Sequence, residues 1–242
     1  MDAPLKILHY KRLQSTNTAA YQLAQQGAPE WTIVVADVQT KGRGRGRNKW
    51  KSPKGGLWFS IILRPKVSGP GLPLLQFLAA VVTRTALEDA TGLDVKLKWP
   101  NDLVLGNLKL GGILIESKTQ GSRVSFAILG IGLNINQSKA QLPPAAMSVR
   151  LATGKHYDLG TVLRAILDQL RSSYRDLDRP SKIIENWWRN CIHRPLRVQV
   201  NLPKETVTGI SGAIDEEGSL LIETDDHRIR RVKEGSLRIL ND

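Results

Sequence analysis

The sequence predicts an α+β fold: a mixed, mostly antiparallel sheet carrying helices, followed by a small C-terminal β-barrel. Helical and strand-like runs are mixed, with three strand-like runs in direct succession, which is not the alternation of a doubly wound sheet. Beyond Pro195 the texture changes to short strands at regular spacing with turn signals between them. The chain has 242 residues, 41% of them hydrophobic and 24% charged. That suits one good-sized domain or one domain with a small appendage, and it excludes fibrous and low-complexity classes.

The elements follow in order. Residues 5–13 read as a strand. Ser15, Thr16 and Asn17 offer capping side chains to a helix reaching about Gln26, with Gly27 as its stop. Trp31–Ala36 is a β-branched run, hence a buried strand. Residues 38–55 lack apolar periodicity and read as a long loop. Leu57–Leu63 is the next strand, and a Pro/Gly cluster at 65–73 breaks the chain. Apolar residues recur at helical spacing from Leu74 to about Ala90, and Gly92 ends that helix. Strands are expected at Val95–Trp99, Gly112–Glu116 and Val124–Ile135, with a turn at Gly106-Asn107 linking the first two. A helix is expected from Leu159 to Leu177, and Pro180 opens another that contains Trp187 and Trp188. Leu196–Val200, Thr206–Ile210, Ser219–Glu223 and Ile229–Val232 make the barrel. The expected domains are 1–193 and 194–242.

Lys and Arg number 35 against 22 Asp and Glu, a net charge of +13. Such an excess points to a polyphosphate or nucleic-acid partner. The single Cys191 excludes a disulfide scaffold and a Cys-based zinc site, and reads as a small buried hydrophobe. No segment approaches the roughly 20 apolar residues of a membrane span, and the first residues lack the apolar core of a signal peptide. A soluble protein of a reducing, cytoplasmic compartment is expected.

Four motifs stand out. Residues 41–54 hold seven basic residues (Lys41, Arg43, Arg45, Arg47, Lys49, Lys51, Lys54) and no acidic one, interleaved with Gly42, Gly44 and Gly46. Glycines allow close backbone approach to a ligand, and arginines supply planar forks for carboxylate or phosphate. A ligand-closing loop, a solvated basic loop and an arginine-rich nucleic-acid contact are all compatible with this composition. The stretch is neither a P-loop nor a dinucleotide fingerprint. Lys98-Trp99-Pro100-Asn101-Asp102 (KWPND) reads as a tight turn; Asn101 and Asp102 suit a metal ligand, a general base, hydrogen-bond acceptors or plain turn chemistry. In Lys109–Glu116 (KLGGILIE) a lysine enters a glycine pair and then a core strand. Gly130–Asn136 (GIGLNIN) ends a strand with glycines and alternating asparagines, or is a bulged strand end. The four histidines are scattered and read as structural or surface.

Taken together, in this order and spacing, the run Ser15-Thr16-Asn17, Gln39 before GRGR, Trp50…Ser52-Pro53…Gly55-Gly56-Leu57, KWPND, KLGGILIE and GIGLNIN resembles the biotin protein ligases. The resemblance covers 15–136, and the C-terminal barrel fits it. It implies a class II synthetase-like catalytic domain and an SH3-like barrel. It also implies ATP-dependent activation of biotin to biotinyl-5′-AMP, with Mg2+, and transfer to a lysine of a biotin carboxyl carrier protein, a subunit of acetyl-CoA carboxylase. A lipoate ligase of the same fold and a nucleic-acid-binding module are the rival readings.

Residue by residue, the resemblance implies a biotin site of Ser15, Thr16, Asn17, Gln39, Arg43, Gly44, Arg45 and Lys109. It implies an adenylate site of Arg43, Arg45, Trp50, Lys98, Asn101 and Asn134, with Lys109, Arg45 and Asp102 catalytic and Asp102 the candidate Mg2+ contact. Asn48 stands where an arginine is common, and Arg47 is the expected substitute. The loop is expected to be mobile until ligand arrives. With the first strand starting so early, no operator-binding domain and no DNA partner are expected. A homodimer through sheet edges suits the resemblance.

Overall fold

The computed structural model describes residues 5–67, 69–121 and 123–240. Strands β1 (Lys6–Tyr10), β2 (Thr32–Ala36), β3 (Leu57–Leu63), β4 (Lys96–Lys98), β5 (Asp102–Leu105), β6 (Leu108–Gln120) and β7 (Arg123–Leu133) form one sheet in the order β1-β2-β3-β7-β6-β5-β4. Only β1 and β2 run parallel; every other neighbouring pair is antiparallel. The sheet is covered on both faces, which explains why β3, apolar at every position but Ser60, is buried at all seven positions. Phe59, Ile61 and Leu63 join the larger core under α2 (Leu72–Thr91), α4 (Leu159–Ser173) and α5 (Pro180–Arg189), while Ile62 packs with Ala20 and Ala24 of α1 (Thr16–Gln25) on the other face.

Local chemistry sets the helix ends. Ser15 caps α1, its Oγ accepting from the Thr18 amide. Proline lies in the first turn of α2 and of α5, and α2 ends on Gly92 in the left-handed region at φ 71°. Asp158 caps α4 through the Thr161 amide at 2.7 Å. A short helix α3 (Val149–Thr153), capped by Ser148, had no counterpart in the periodicity.

The sequence expectations need four corrections here. Asp102–Leu105 is a strand, so Gly106-Asn107 joins it to β6 rather than joining β4 to the glycine pair. The expected strand at 112–116 is thirteen residues long, and Lys109 lies inside it. The Leu159 helix stops at Ser173 and continues as a single 3-10 segment, Tyr174–Asp178. The loop at 38–55 is partly paired: the Gly44 amide donates to Asn48 O and the Trp50 amide to Gly42 O, around a turn at Arg45–Asn48 in which Gly46 has φ 63°.

The C-terminal module holds five antiparallel strands, one more than expected: β8 (Arg197–Asn201), β9 (Thr206–Ile214), β10 (Leu220–Glu223), β11 (Ile229–Val232) and β12 (Ser236–Ile239), in the order β11-β10-β9-β8-β12. It is locked to the main sheet at Trp99. The Trp99 amide donates to His193 Nε2 at 3.2 Å, and its indole Nε1 donates to Gly218 O at 3.1 Å. His193 is fully buried, with Nδ1 2.7 Å from Ser211 Oγ. Since Nε2 accepts a backbone N–H, the ring proton sits on Nδ1 and is donated to Ser211. Burial, with Lys98 adding to it, pushes this imidazole down to about 3. Cys191 is buried as expected, and burial pushes its thiol up to about 12.

Candidate active site

A cavity of about 430 Å3 opens on the α1 face of the sheet. Of the residues the sequence singled out, Ser15, Thr16, Asn17, Gln39, Arg43, Gly44, Arg45, Trp50, Lys98, Asn101, Asp102 and Lys109 all line it. Asn134 does not; it is buried behind the wall, its Nδ2 donating to Lys109 O at 3.4 Å. Arg47 is exposed and is not among the lining residues, whereas Asn48 and Lys49 are.

The glycines of the sheet explain how side chains enter this space. Gly130 faces Ser60 on one neighbouring strand and Leu114 on the other. A Cβ at Gly130 would lie 2.0 Å from Asn17 Oδ1, so only glycine lets the carboxamide settle onto the sheet. Gly132, the next residue on that face, is paired with Gly112. The Trp50 indole rests there, its Nε1 2.9 Å from where a Gly132 Cβ would be. Asn17 and Trp50 thus occupy successive same-face steps of β7, about 7 Å apart along the strand.

Around Asn17 the polar groups are cross-linked. The Thr16 amide donates to Gln39 Oε1 at 2.7 Å, and Gln39 Nε2 donates to Ser52 Oγ at 2.8 Å. Ser60, fully buried, places its hydroxyl 2.6 Å from Asn17 Oδ1 and 2.8 Å from Thr16 Oγ1. Asn17 Nδ2 donates to Glu116 Oε2 at 2.9 Å. Sequence reasoning missed Ser60 and Glu116. The signal for Ser60 was a lone hydroxyl inside the apolar run LWFSIIL.

Around Trp50 the groups are charged. Lys109 Nζ lies 2.5 Å from Asp102 Oδ1 and 5.1 Å from the centroid of the Trp50 ring. Arg45 donates to Gly235 O of the C-terminal module, and its guanidinium carbon is 6.0 Å from the Trp99 ring centroid. Burial lowers the Arg45 guanidinium from its ordinary value, against the opposing pull of Asp102 and Glu234. Gly235, Ser236 and Leu237 complete the cavity wall. Five cationic side chains, Arg43, Arg45, Lys49, Lys98 and Lys109, line the cavity with a single carboxylate, Asp102. Such a space favours anions.

The biotin/lipoate A/B protein ligase family profile matches residues 9–134, and the biotin protein ligase C-terminal domain matches 197–236. The chain belongs to the biotin/lipoate A/B protein ligase family. It is 36% identical to the bifunctional ligase/repressor BirA of Bacillus subtilis over 91% of this chain and 70% of that one. It is 32% identical to the biotin–[acetyl-CoA-carboxylase] ligase of Paracoccus denitrificans over 87% of this chain and 91% of that one. Among solved structures, the biotin protein ligase from Aquifex aeolicus in complex with biotin and ATP superimposes with a TM-score of 0.83 at 29% identity, covering 97% of this chain and 99% of that one.

Membership makes a metal question concrete. Among the described residues no group of three or more His, Cys, Asp or Glu side chains is placed to hold a metal ion. Asp102, the one carboxylate of the described lining, is the residue that could meet a Mg2+ arriving with ATP. No helix among the described residues is long and apolar enough to cross a membrane.

Proposed function

We propose that this chain is an ATP-dependent ligase that activates biotin as biotinyl-5′-AMP and passes the biotinyl group to a lysine of a biotin carboxyl carrier protein. The carrying observation is one cavity that joins a buried network of neutral hydrogen-bonding groups to a cluster of five cations. A small apolar ligand with a polar head and an anionic tail needs both, and an anionic nucleotide beside it needs the second.

Ser15, Thr16, Asn17 and Gln39 take the ureido head of biotin, and Trp50 and Leu114, over the side-chain-free face at Gly130 and Gly132, border its apolar rings. Arg43, Arg45 and Lys109 offset the repulsion between the biotin carboxylate and the α-phosphate. A carboxylate oxygen attacks the α-phosphorus, and pyrophosphate leaves. Lys109, oriented by Asp102 and Trp50, stabilises charge developing on the phosphoryl oxygens. Lys98 and Asn101 hold the nucleotide, with Asn134 supporting the backbone of Lys109 from behind. Asp102 would be the protein group to hold a Mg2+ brought by ATP, which would supply neutralisation of phosphate charge.

In the second half-reaction the acceptor amine attacks the acyl carbon of the adenylate, the bond from that carbon to the phosphate oxygen breaks, and AMP leaves. The incoming ammonium, with an ordinary pKa of about 10.4, must first lose a proton, and Asp102 is the base assigned to it in this reading, as the alternative to its metal role. The two functional units are 1–193, holding the chemistry, and 194–242, closing one wall of the cavity.

Purified protein should exchange pyrophosphate into ATP only when biotin is present. Exchange that ignores biotin, or none at all, would overturn this reading; exchange with lipoate in its place would reassign the substrate within the family.

A further inference from the structure

Glu116 does not line the cavity, yet it touches two residues that do. Its Oε2 accepts from Asn17 Nδ2 at 2.9 Å, and its Oε1 pairs with Arg43 Nη2 at 2.7 Å. One carboxylate therefore joins the first turn of α1, which carries the neutral half of the site, to the basic loop, which carries the cationic half. Its own position is fixed by β6, where it pairs in register with Ile128 of β7. The carboxylate is 22% exposed and the Arg43 side chain 50%.

The hydrogen-bond directions give this contact a second consequence. A carboxamide has one accepting end and one donating end. Ser60 sits on the oxygen side of Asn17 and the acceptor-only carboxylate on the nitrogen side. Without Glu116 the donating end of a buried amide would have no acceptor there, and the Asn17 amide could turn over. The ion pair with Arg43 bridges 73 positions of sequence, while the bond from the buried Asn17 amide is charge-assisted and better shielded from water.

We propose that Glu116 is a positioning residue of the biotin site. It sets the orientation of Asn17 and pins Arg43 at the cavity mouth before any ligand arrives, so that the loop is held over the site rather than free of it. This rests on the ligase reading above and deepens it.

Two variants separate the two arms. Glu116→Gln keeps an oxygen for Asn17 Nδ2 but turns a donor toward the Arg43 guanidinium, which breaks only the loop arm. Glu116→Ala breaks both. In biotin-dependent ATP–pyrophosphate exchange, E116Q should raise the KM for biotin about tenfold and E116A by up to about a hundredfold, in keeping with loss of one or two charge-assisted hydrogen bonds. For E116Q, kcat should stay within about threefold, since the group touches no reacting atom. Limited trypsin digestion reads the loop without any catalysis: the bonds after the lysines and arginines of 41–54 should be cut several-fold faster in E116Q than in the unmodified protein, at an unchanged thermal midpoint.

Unchanged KM with unchanged cleavage would overturn the proposal. So would a lowered KM, which would make the ion pair a latch competing with ligand, and so would loss of kcat at constant KM. If the unmodified protein shows no biotin-dependent exchange, the ligase reading falls, and the cleavage rates still decide whether Glu116 holds the loop.

Discussion

Lys109 Nζ and Asp102 Oδ1 stand 2.5 Å apart on neighbouring strands, both open to the cavity. The contact aims a flexible four-carbon side chain at one point. It also keeps the only carboxylate of the lining from repelling a phosphate outright.

The first expectation concerns Lys109 itself. Lys109→Ala should lower the rate of adenylate formation by about 10²–10³, the typical cost of one lost oxyanion donor, with far-ultraviolet circular dichroism unchanged. Asp102→Asn should keep Lys109 in place less firmly and slow transfer to carrier more than pyrophosphate exchange. Equal losses in both half-reactions would remove the base role from Asp102.

The second concerns Gly130. Because a methyl there would meet Asn17 Oδ1 at 2.0 Å, Gly130→Ala must displace the carboxamide or the strand. Titration calorimetry should show biotin affinity down at least about tenfold, the worth of one well-placed hydrogen bond to a desolvated group. Gly69→Ala, where the added carbon meets nothing within 4 Å, is the control and should bind normally. Normal binding by both variants would remove Asn17 from the biotin site.

The third concerns pH. His193 titrates near 6.5 in the unfolded chain and near 3 in the fold. Above pH 6.5 both states are neutral and the group contributes its full stability. Below it the unfolded chain binds a proton that the folded chain excludes, so stability falls by about 1.4 kcal/mol per pH unit down to the folded value. Urea unfolding should show about 2 kcal/mol lost from this residue between pH 6.5 and 5. His193→Gln, which retains an acceptor for the Trp99 amide and a donor for Ser211, should flatten that slope. Identical pH profiles for the two proteins would show that the imidazole is not the sensor.

The fourth concerns charge. Seven of the basic residues lie in 41–54, and the net charge without them is still +6. If that remainder steers an acidic carrier domain, the rate of biotinyl transfer should fall as ionic strength rises while pyrophosphate exchange changes little. A flat transfer rate would rule out steering.

The sheet was largely legible because its strands are short apolar runs with clear punctuation. Leu57–Leu63 lies between a glycine pair and Arg64-Pro65, and its bounds match the strand. Strand β5 was not legible: four residues beginning with Asp, directly after Pro100-Asn101, look like the continuation of a turn, and only pairing with β6 on one side and β4 on the other makes them extended. The lining of the site was legible as motifs. Its supports were not, because they are joined by tertiary contacts: Glu116 closes a strand motif where a charged residue reads as an exposed end, and its two partners lie 99 and 73 positions away. The wall made by Gly235–Leu237 carried no chemical signal, since its contribution to Arg45 is a backbone carbonyl, and the glycine at 235 that lets the chain turn there reads as an ordinary turn residue.

That last point bears on how this molecule tolerates change. Trp99 and Arg45 both reach into the C-terminal module, and both end on backbone oxygens, of Gly218 and Gly235. The partners are thus specified by the path of the chain at two glycines, each at positive φ (82° and 138°), where an added Cβ would lie 2.6 Å from Pro73 and 2.4 Å from Val200. The exposed side chains of the module are free to drift provided the two turns keep their course, whereas its buried residues, among them Val198, Val200, Leu220 and Ile222, are held by the core they share with the main domain. An insertion of one residue at either turn should do more harm than many substitutions elsewhere in the module.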